Sequence, residues 1–197
     1  MAEDGEFVLE LLKNRILEQA EVIGKDVLKV DMFLNHQLDI NLLDEIGKEF
    51  YRIFALDKVT KILTIEASGI GVACMAARYF NVPVLFAKKG QNCNLGSDLY
   101  HSEITSFTKG TSTCICVSKK FLGKNDRILI IDDFLAHGSA LSGLIEIVSD
   151  SGAELIGAGI VIEKGFQPGG KLLRDNGIRI ESLAIIESMG DGKITFG

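Results

Sequence analysis

Tryptophan is absent from this 197-residue chain; proline occurs twice, histidine three times and cysteine four times. No run approaches 18 apolar residues, so a membrane-spanning helix is not expected. Basic side chains number 21 against 27 acidic ones, a net charge of -6. That balance argues against broad binding to nucleic acid or an anionic membrane and leaves room only for a local basic pocket. The N-terminus is acidic at Glu3, Asp4 and Glu6 and lacks a basic n-region and an apolar h-region, so no secretory signal is expected. Cys74, Cys93, Cys114 and Cys116 form no CxxC pair, and His36, His101 and His137 lie far apart, which speaks against a zinc site. Cys114 and Cys116, at i and i+2 of a strand-like run, share one face and read as core packing. The chain reads as cytoplasmic, with free thiols.

What is present is an aliphatic interior: 47% of residues are hydrophobic, 11 are Phe and 21 are Gly. The length suits one domain, residues 1–197. Val8, Leu11, Leu12, Ile16 and Ala20 predict a helix over 7–20, and Leu42, Leu43, Ile46, Phe50, Ile53 and Phe54 a second over 41–54. Residues 22–33 lack regular spacing and read as extended or looped. Ile62-Leu63-Thr64-Ile65 is a buried-type strand, followed by Ala67-Ser68-Gly69, a helix over 72–80 and a strand over 83–87, which together make a βαβ unit. Residues 88–99 read as a long loop. Residues 103–107 and 111–118 flank Lys109-Gly110 as a hairpin. A strand at 127–131, a helix at 141–151, a strand at 155–163, a short helix at 171–176 and a strand at 178–186 complete the chain. The pattern predicts an α/β fold, a mostly parallel sheet with helices on both faces. The N-terminal helices and the late strands are expected to form a small accessory cap.

The densest chemical signal is Ile130-Ile131-Asp132-Asp133-Phe134-Leu135-Ala136-His137-Gly138-Ser139-Ala140. In open α/β sheets, ligands bind at the carboxyl ends of strands. Alternation points the two carboxylates in different directions, so they are not both expected in the core. The small-residue loop that follows opens a helix, where backbone N–H groups can cradle a phosphate. Gly138 allows close approach and Ser139 offers a hydroxyl. Carboxylates for vicinal hydroxyls beside a phosphate cradle suit a ribose 5-phosphate. The competing reading is an acidic turn with a permissive glycine. The loop matches neither GxxxxGK[ST] nor GxGxxG, and Gly69-Ile70-Gly71 lacks the third glycine.

Ile128 to Ala140 resembles the phosphoribosyl-pyrophosphate signature of the type I phosphoribosyltransferases: aliphatics, two acids, two spacers and a phosphate loop. Further segments are similar to the bacterial xanthine-using members of the purine branch. These are residues 28–37, 65–70, 86–89 and 106–109, and Ile162-Glu163-Lys164-Gly165-Phe166-Gln167-Pro168-Gly169. The resemblance covers nearly the whole chain. It implies the type I fold, with a hood from residues 1–38 and about 164–197, and a homodimer. It also implies transfer of 5-phosphoribosyl from phosphoribosyl pyrophosphate to N9 of xanthine, with magnesium carried by that substrate. On this resemblance Asp132 and Asp133 hold the ribose hydroxyls, directly or through magnesium waters. Ala136, His137, Gly138, Ser139 and Ala140 bind the 5′-phosphate. Ala67, Ser68 and Gly69 form the pyrophosphate loop, whose backbone often contains a non-proline cis bond. Lys88 and Lys89 lie near the pyrophosphate, and residues 88–99 form a loop that closes over the site. Lys164 donates to the purine 6-oxo group, Leu28 and Asn35 contact xanthine, and Phe134 and Phe166 are walls for the base. For Lys89 the alternative is surface charge; for Phe134, core packing; for Asn35, a local cap or turn.

Two positions depart from the relatives. His137 stands where Asn or Thr is common, and Gly170 where a charged residue is common; the latter is expected to alter only a turn. Hypoxanthine or guanine is the alternative base, since Lys164 would serve any 6-oxo purine. A purine-sensing regulator on the same fold is the non-enzyme alternative, and it calls for an added DNA-binding segment or a basic face that an acidic chain with a short N-terminal segment does not offer.

Overall fold

The computed structural model describes residues 2–90, 98–106, 111–190 and 192–197. Helix α1 (Ala2–Gln19) leads into a short antiparallel hairpin, β1 (Glu21–Ile23) and β2 (Val27–Lys29), and a π-helical turn at Asp31–Asn35. Residues 22–33, irregular in spacing, are therefore two short strands and a turn. Helix α2 (Ile40–Phe54) begins where Asp39 accepts from the N–H of Leu42 at 3.1 Å. Asp39 also pairs with Arg15, tying α1 to α2.

Strand β3 (Lys61–Ile65), helix α3 (Gly69–Phe80) and strand β4 (Val84–Gly90) form the βαβ unit. Strands β5 (Leu99–Ser106) and β6 (Thr111–Ser118) make the hairpin, in register from Leu99↔Ser118 to Ser106↔Thr111. Its expected turn at Lys109-Gly110 lies outside the described residues, as do Phe107 and Cys93. Then come β7 (Arg127–Leu135), α4 (Ser139–Ser151), β8 (Glu154–Lys164), α5 (Gly169–Asp175), β9 (Ile180–Gly190) and β10 (Lys193–Phe196). The main sheet runs β10-β9-β8-β7-β3-β4-β6-β5. Neighbours from β9 through β4 are parallel, and the outer pairings are antiparallel. The late strands thus extend the main sheet instead of standing in a separate cap, because β9 pairs with β8 along Ala158↔Ile180 to Lys164↔Ile186.

Period-two alternation gives the sheet two cores. Ile62, Leu129, Ile131 and Val161 pack with α2 and α3 on one face. Leu63, Ile128, Ile130 and Ile160 pack with Leu141, Leu144, Ile147 and Val148 of α4 on the other. In β6 the buried positions are Ile115 and Val117, while Cys114 and Cys116 are half-buried on the opposite side. This corrects the reading of the cysteines as core: the β-branched aliphatics take the interior and fix the strand's parity. Lys88, Lys89 and Gly90 are not loop residues either. They continue β4 by pairing with Cys116, Ile115 and Cys114 of β6. Of the expected 88–99 loop, residues 91–97 lie outside the described residues. No described helix is long and apolar enough to cross a membrane.

Candidate active site

The strand order sets the site. From β3 the chain steps to β4 on one side, and β7 later takes the place on the other side. The direction of winding reverses between β3 and β7, which is where ligands enter open α/β sheets. The two strands are in register from Lys61↔Ile128 to Leu63↔Ile130, and β7 runs on to Leu135. Asp132 and Asp133 stand on that extension. Both are buried, at 5% and 7% exposure, contrary to the expectation that they would not both lie inside. The N–H of Asp133 donates to Oδ1 of Asp132 at 3.0 Å. Burial, with the neighbouring Asp133 charge added, raises the Asp132 pKa well above the usual carboxylate range, and Lys89 partly opposes this.

The loop after β3 closes over the same carboxylate. The Glu66–Ala67 peptide bond is cis, Ser68 makes no side-chain cap bond, and Gly69 opens α3. A Cβ on Gly69 would collide with Oγ1 of Thr64 and lie 2.7 Å from Oδ1 of Asp132, so only glycine fits between them. Thr64 Oγ1 itself is buried without a partner among the described residues. Glu66 accepts from the backbone N–H of Lys89 at 2.5 Å. Lys88 and Lys89 are exposed at the end of β4. The charge of Lys89 partly offsets that of Asp133 at Asp132.

Past Leu135, Ala136 to Ala140 turn into α4. Gly138 holds φ +87°, and α4 starts without a side-chain cap. The first-turn N–H groups are therefore not claimed by a capping oxygen. His137 and Ser139 line a cavity of about 340 Å³ with Ser102, Ser142 and Glu146. A larger cavity of about 610 Å³ lies at the amino ends of the strands, beside Lys61 and Phe121, away from this crevice.

Strand β8 delivers Lys164. Its Nζ sits 5.8 Å from the centroid of the Phe134 ring and donates to the carbonyl of Asp26 at 2.6 Å. Burial lowers its pKa, and the charge of Asp26 pulls the other way. Phe134 is half-buried against the core on the α2/α3 face. Phe166 is 38% exposed in the turn after β8. Leu28 is buried in β2 and Asn35 is exposed at the end of the π-helical turn. Gln167, to which the sequence assigns no role, has Oε1 buried without a partner among the described residues.

Gly170 is no turn residue. It lies buried in α5, where a Cβ would collide with the Glu163 carboxylate and come within 2.8 Å of Arg174 Nη1. Glu163 stands in the sequence only as part of the segment around Lys164 and Arg174 only within the short helix expected at 171–176, and the sequence assigns neither a role; an acid at the end of an aliphatic run was the available signal.

A phosphoribosyl transferase domain model matches residues 29–179. The chain belongs to the phosphoribosyltransferase family. It is 62% identical over 188 residues to a xanthine phosphoribosyltransferase of Ruminiclostridium cellulolyticum, covering 95% of this chain and 99% of that one. It is 60% identical to one from Clostridium novyi, with the same coverage. Among solved structures it resembles the adenine phosphoribosyltransferase of Rhodothermus marinus, with TM-score 0.74 and 20% identity over 92% of this chain and 99% of that one. That likeness shows the fold alone: the type I phosphoribosyltransferase fold, a mostly parallel sheet with flanking helices.

Proposed function

We propose that this chain transfers the 5-phosphoribosyl group from phosphoribosyl pyrophosphate to N9 of xanthine, giving xanthosine 5′-monophosphate and pyrophosphate. The observation that carries it is one crevice at the β3/β7 reversal that gathers a buried acid pair, an uncapped helix start and a lysine poised over an aromatic ring. The 62% identity to a named xanthine phosphoribosyltransferase supports the same reading.

In this reading Asp132 and Asp133 hold the ribose hydroxyls, and residues 136–140 hold the 5′-phosphate through backbone N–H groups. Ala67, Ser68, Gly69, Lys88 and Lys89 receive the pyrophosphate. The N9–C1 bond forms as the C1–O bond to pyrophosphate breaks, with inversion and an oxocarbenium-like transition state. Lys164 has three donors; one goes to Asp26, and the others can meet the 6-oxo group of xanthine bound as its anion, which has already lost its ring proton to solvent and gives up its negative charge as N9 attacks. Phe134 and Phe166 supply apolar walls.

Magnesium fits this donor set. The described residues hold no group of three metal-ligating side chains, and the cation prefers few carboxylates plus substrate phosphates. Asp132 and Asp133 would hold it through the substrate, where it neutralises charge on the departing pyrophosphate.

Residues 1–38 form the hood, and the Lys164–Asp26 contact ties it to the carboxyl end of β8 in the main sheet. Exposed Phe7, Leu17, Met32 and Ile40 near the N-terminus supply apolar surface for a homodimer in the cytoplasm. Sedimentation should give about twice 21.4 kDa, and an active monomer would contradict the dimer.

Base choice rests on position 2. Lys164 cannot separate xanthine, guanine and hypoxanthine, which share the 6-oxo group. The Asn35 amide can donate to the 2-oxo group that xanthine alone presents. Asn35 is exposed in the free protein; once a bound base covers it, a buried polar group left unpaired costs about 1–3 kcal/mol, or about one to two powers of ten in specificity. Steady-state assays with the three bases should rank xanthine first. Asn35→Ala should narrow the xanthine/hypoxanthine ratio; equal losses for both bases would remove Asn35 from selectivity.

A further inference from the structure

Beside the crevice stands a charged group that the reaction does not use. Glu163 is 4% exposed on β8, one residue before Lys164. Arg174 of α5 forks onto it, Nη1 to Oε1 and Nη2 to Oε2, each at 2.7 Å. Ser182 of β9 also donates to Oε2, and Arg174 Nη2 reaches the carbonyl of Ile180 at 3.3 Å.

Helix α5 has seven residues, and its buried ones are Gly169 and Gly170. Leu172 is 56% exposed, and Leu173 packs only partly against the core. A helix this short does not stand alone, and apolar burial contributes little here. The Arg174 fork is its main bond to the sheet. At the other end, α5 leans on the phosphate loop. The N–H of Gly169 donates to the carbonyl of Ala136 at 3.1 Å. A Cβ on Gly169 would lie 2.5 Å from Gly138 N and from the His137 carbonyl carbon. The two glycines thus do two jobs: Gly169 lets the helix touch the loop, and Gly170 leaves room for the ion pair beneath it.

We infer that Glu163 and Arg174 are positioning residues that hold the 136–140 loop in its phosphate-binding shape through α5. The inference rests on the reading of that loop as the 5′-phosphate site. Both side chains are engaged with each other and with β9, and the proposed reaction gives neither a contact to substrate. Backbone N–H groups bind an oxyanion well only when already aimed at it, so a loosened loop loses affinity for the phosphate-bearing substrate and not for the base.

Arg174→Met removes the fork, Arg174→Lys keeps the charge without it, and Glu163→Gln keeps the shape without the charge. For Arg174→Met, KM for phosphoribosyl pyrophosphate should rise about tenfold, within the range that small misplacements cost. KM for xanthine and kcat at saturation should stay within about twofold. Arg174→Lys and Glu163→Gln should fall between. Hydrogen exchange on the free protein should quicken at 136–140 in Arg174→Met and stay unchanged in β3 and β4. Unchanged loop exchange overturns the inference, as do equal rises in KM for both substrates. The exchange measurement needs no base, so a wild-type protein that ignores xanthine would refute the proposed activity while the loop result still decides this inference. If Arg174→Met does not fold, Arg174→Lys carries both measurements.

Discussion

Asp132 and Glu163 stand on adjacent parallel strands, both nearly sealed from solvent at 5% and 4% exposure, yet their surroundings are opposite. Glu163 has a guanidinium forked onto both oxygens and a serine hydroxyl besides. Asp132 has a second carboxylate next to it, and the Asp133 N–H and the charge of Lys89 offset this only in part. Burial alone would raise both pKa values. Arg174 and Ser182 more than offset it at Glu163, whose pKa is lowered, while at Asp132 Asp133 adds to it. A buried acid whose hydrogen bonds are satisfied holds structure together. A buried acid left short of positive charge is kept at a cost to stability, and such cost concentrates at working sites.

The sharpest way to break this comparison is by activity. Asp132→Asn and Asp133→Asn should each lower turnover at saturating xanthine by about two to three powers of ten, the scale of losing one preorganised electrostatic contact. Wild-type kinetics in both variants would move the ribose site elsewhere.

Stability should respond the other way. Arg174→Met leaves Glu163 buried without its cation. Removing one partner of a buried pair costs about 3–5 kcal/mol; Arg174 is 35% exposed, so the expected loss is nearer about 2–3 kcal/mol. Urea unfolding reads it directly. The sign with pH follows from the lowered pKa of Glu163. The pair's contribution is fully present above the ordinary carboxylate range and is lost as pH falls through the folded value. Wild type and variant should therefore converge in acid. A constant gap would mean that the cost is packing, not charge.

The acid pair was legible because an aliphatic run, Ile128 to Ile131, marks a buried strand by composition, and acids at its end interrupt that run. The clamp was not legible. Gly169-Gly170 after Pro168 reads as a turn from local chemistry, and only the packing of α5 against Ala136 and Glu163 makes it a helix start. Lys88-Lys89-Gly90 likewise reads as loop until β6 pairs with it. Cys114 and Cys116 share a face, as alternation requires, but which face is buried depends on the sheet beneath Ile115 and Val117. Period and composition revealed elements; contacts between distant segments decided the rest.

The smallest effect tests the cost at Asp132 itself. Its raised pKa means that the folded protein holds this proton more tightly than the unfolded chain. Folding is then favoured where Asp132 is protonated, below the ordinary carboxylate range. Stability falls as pH rises from that range toward the folded value, and by neutral pH the unfolded chain, which ionises freely, has gained on the folded one. Asp132→Asn is close to isosteric and never charges. It should raise Tm at neutral pH by about 2–4 °C, equivalent to about 1 kcal/mol for a domain of this size. The gain should shrink as the buffer is taken below the carboxylate range, where the wild-type group is neutral as well. Magnesium and phosphoribosyl pyrophosphate together should stabilise the wild type and not the variant, since a ligand stabilises only a state that binds it. A variant less stable than wild type at neutral pH would show that the Asp132 carboxylate is already satisfied without substrate, and the contrast with Glu163 would collapse.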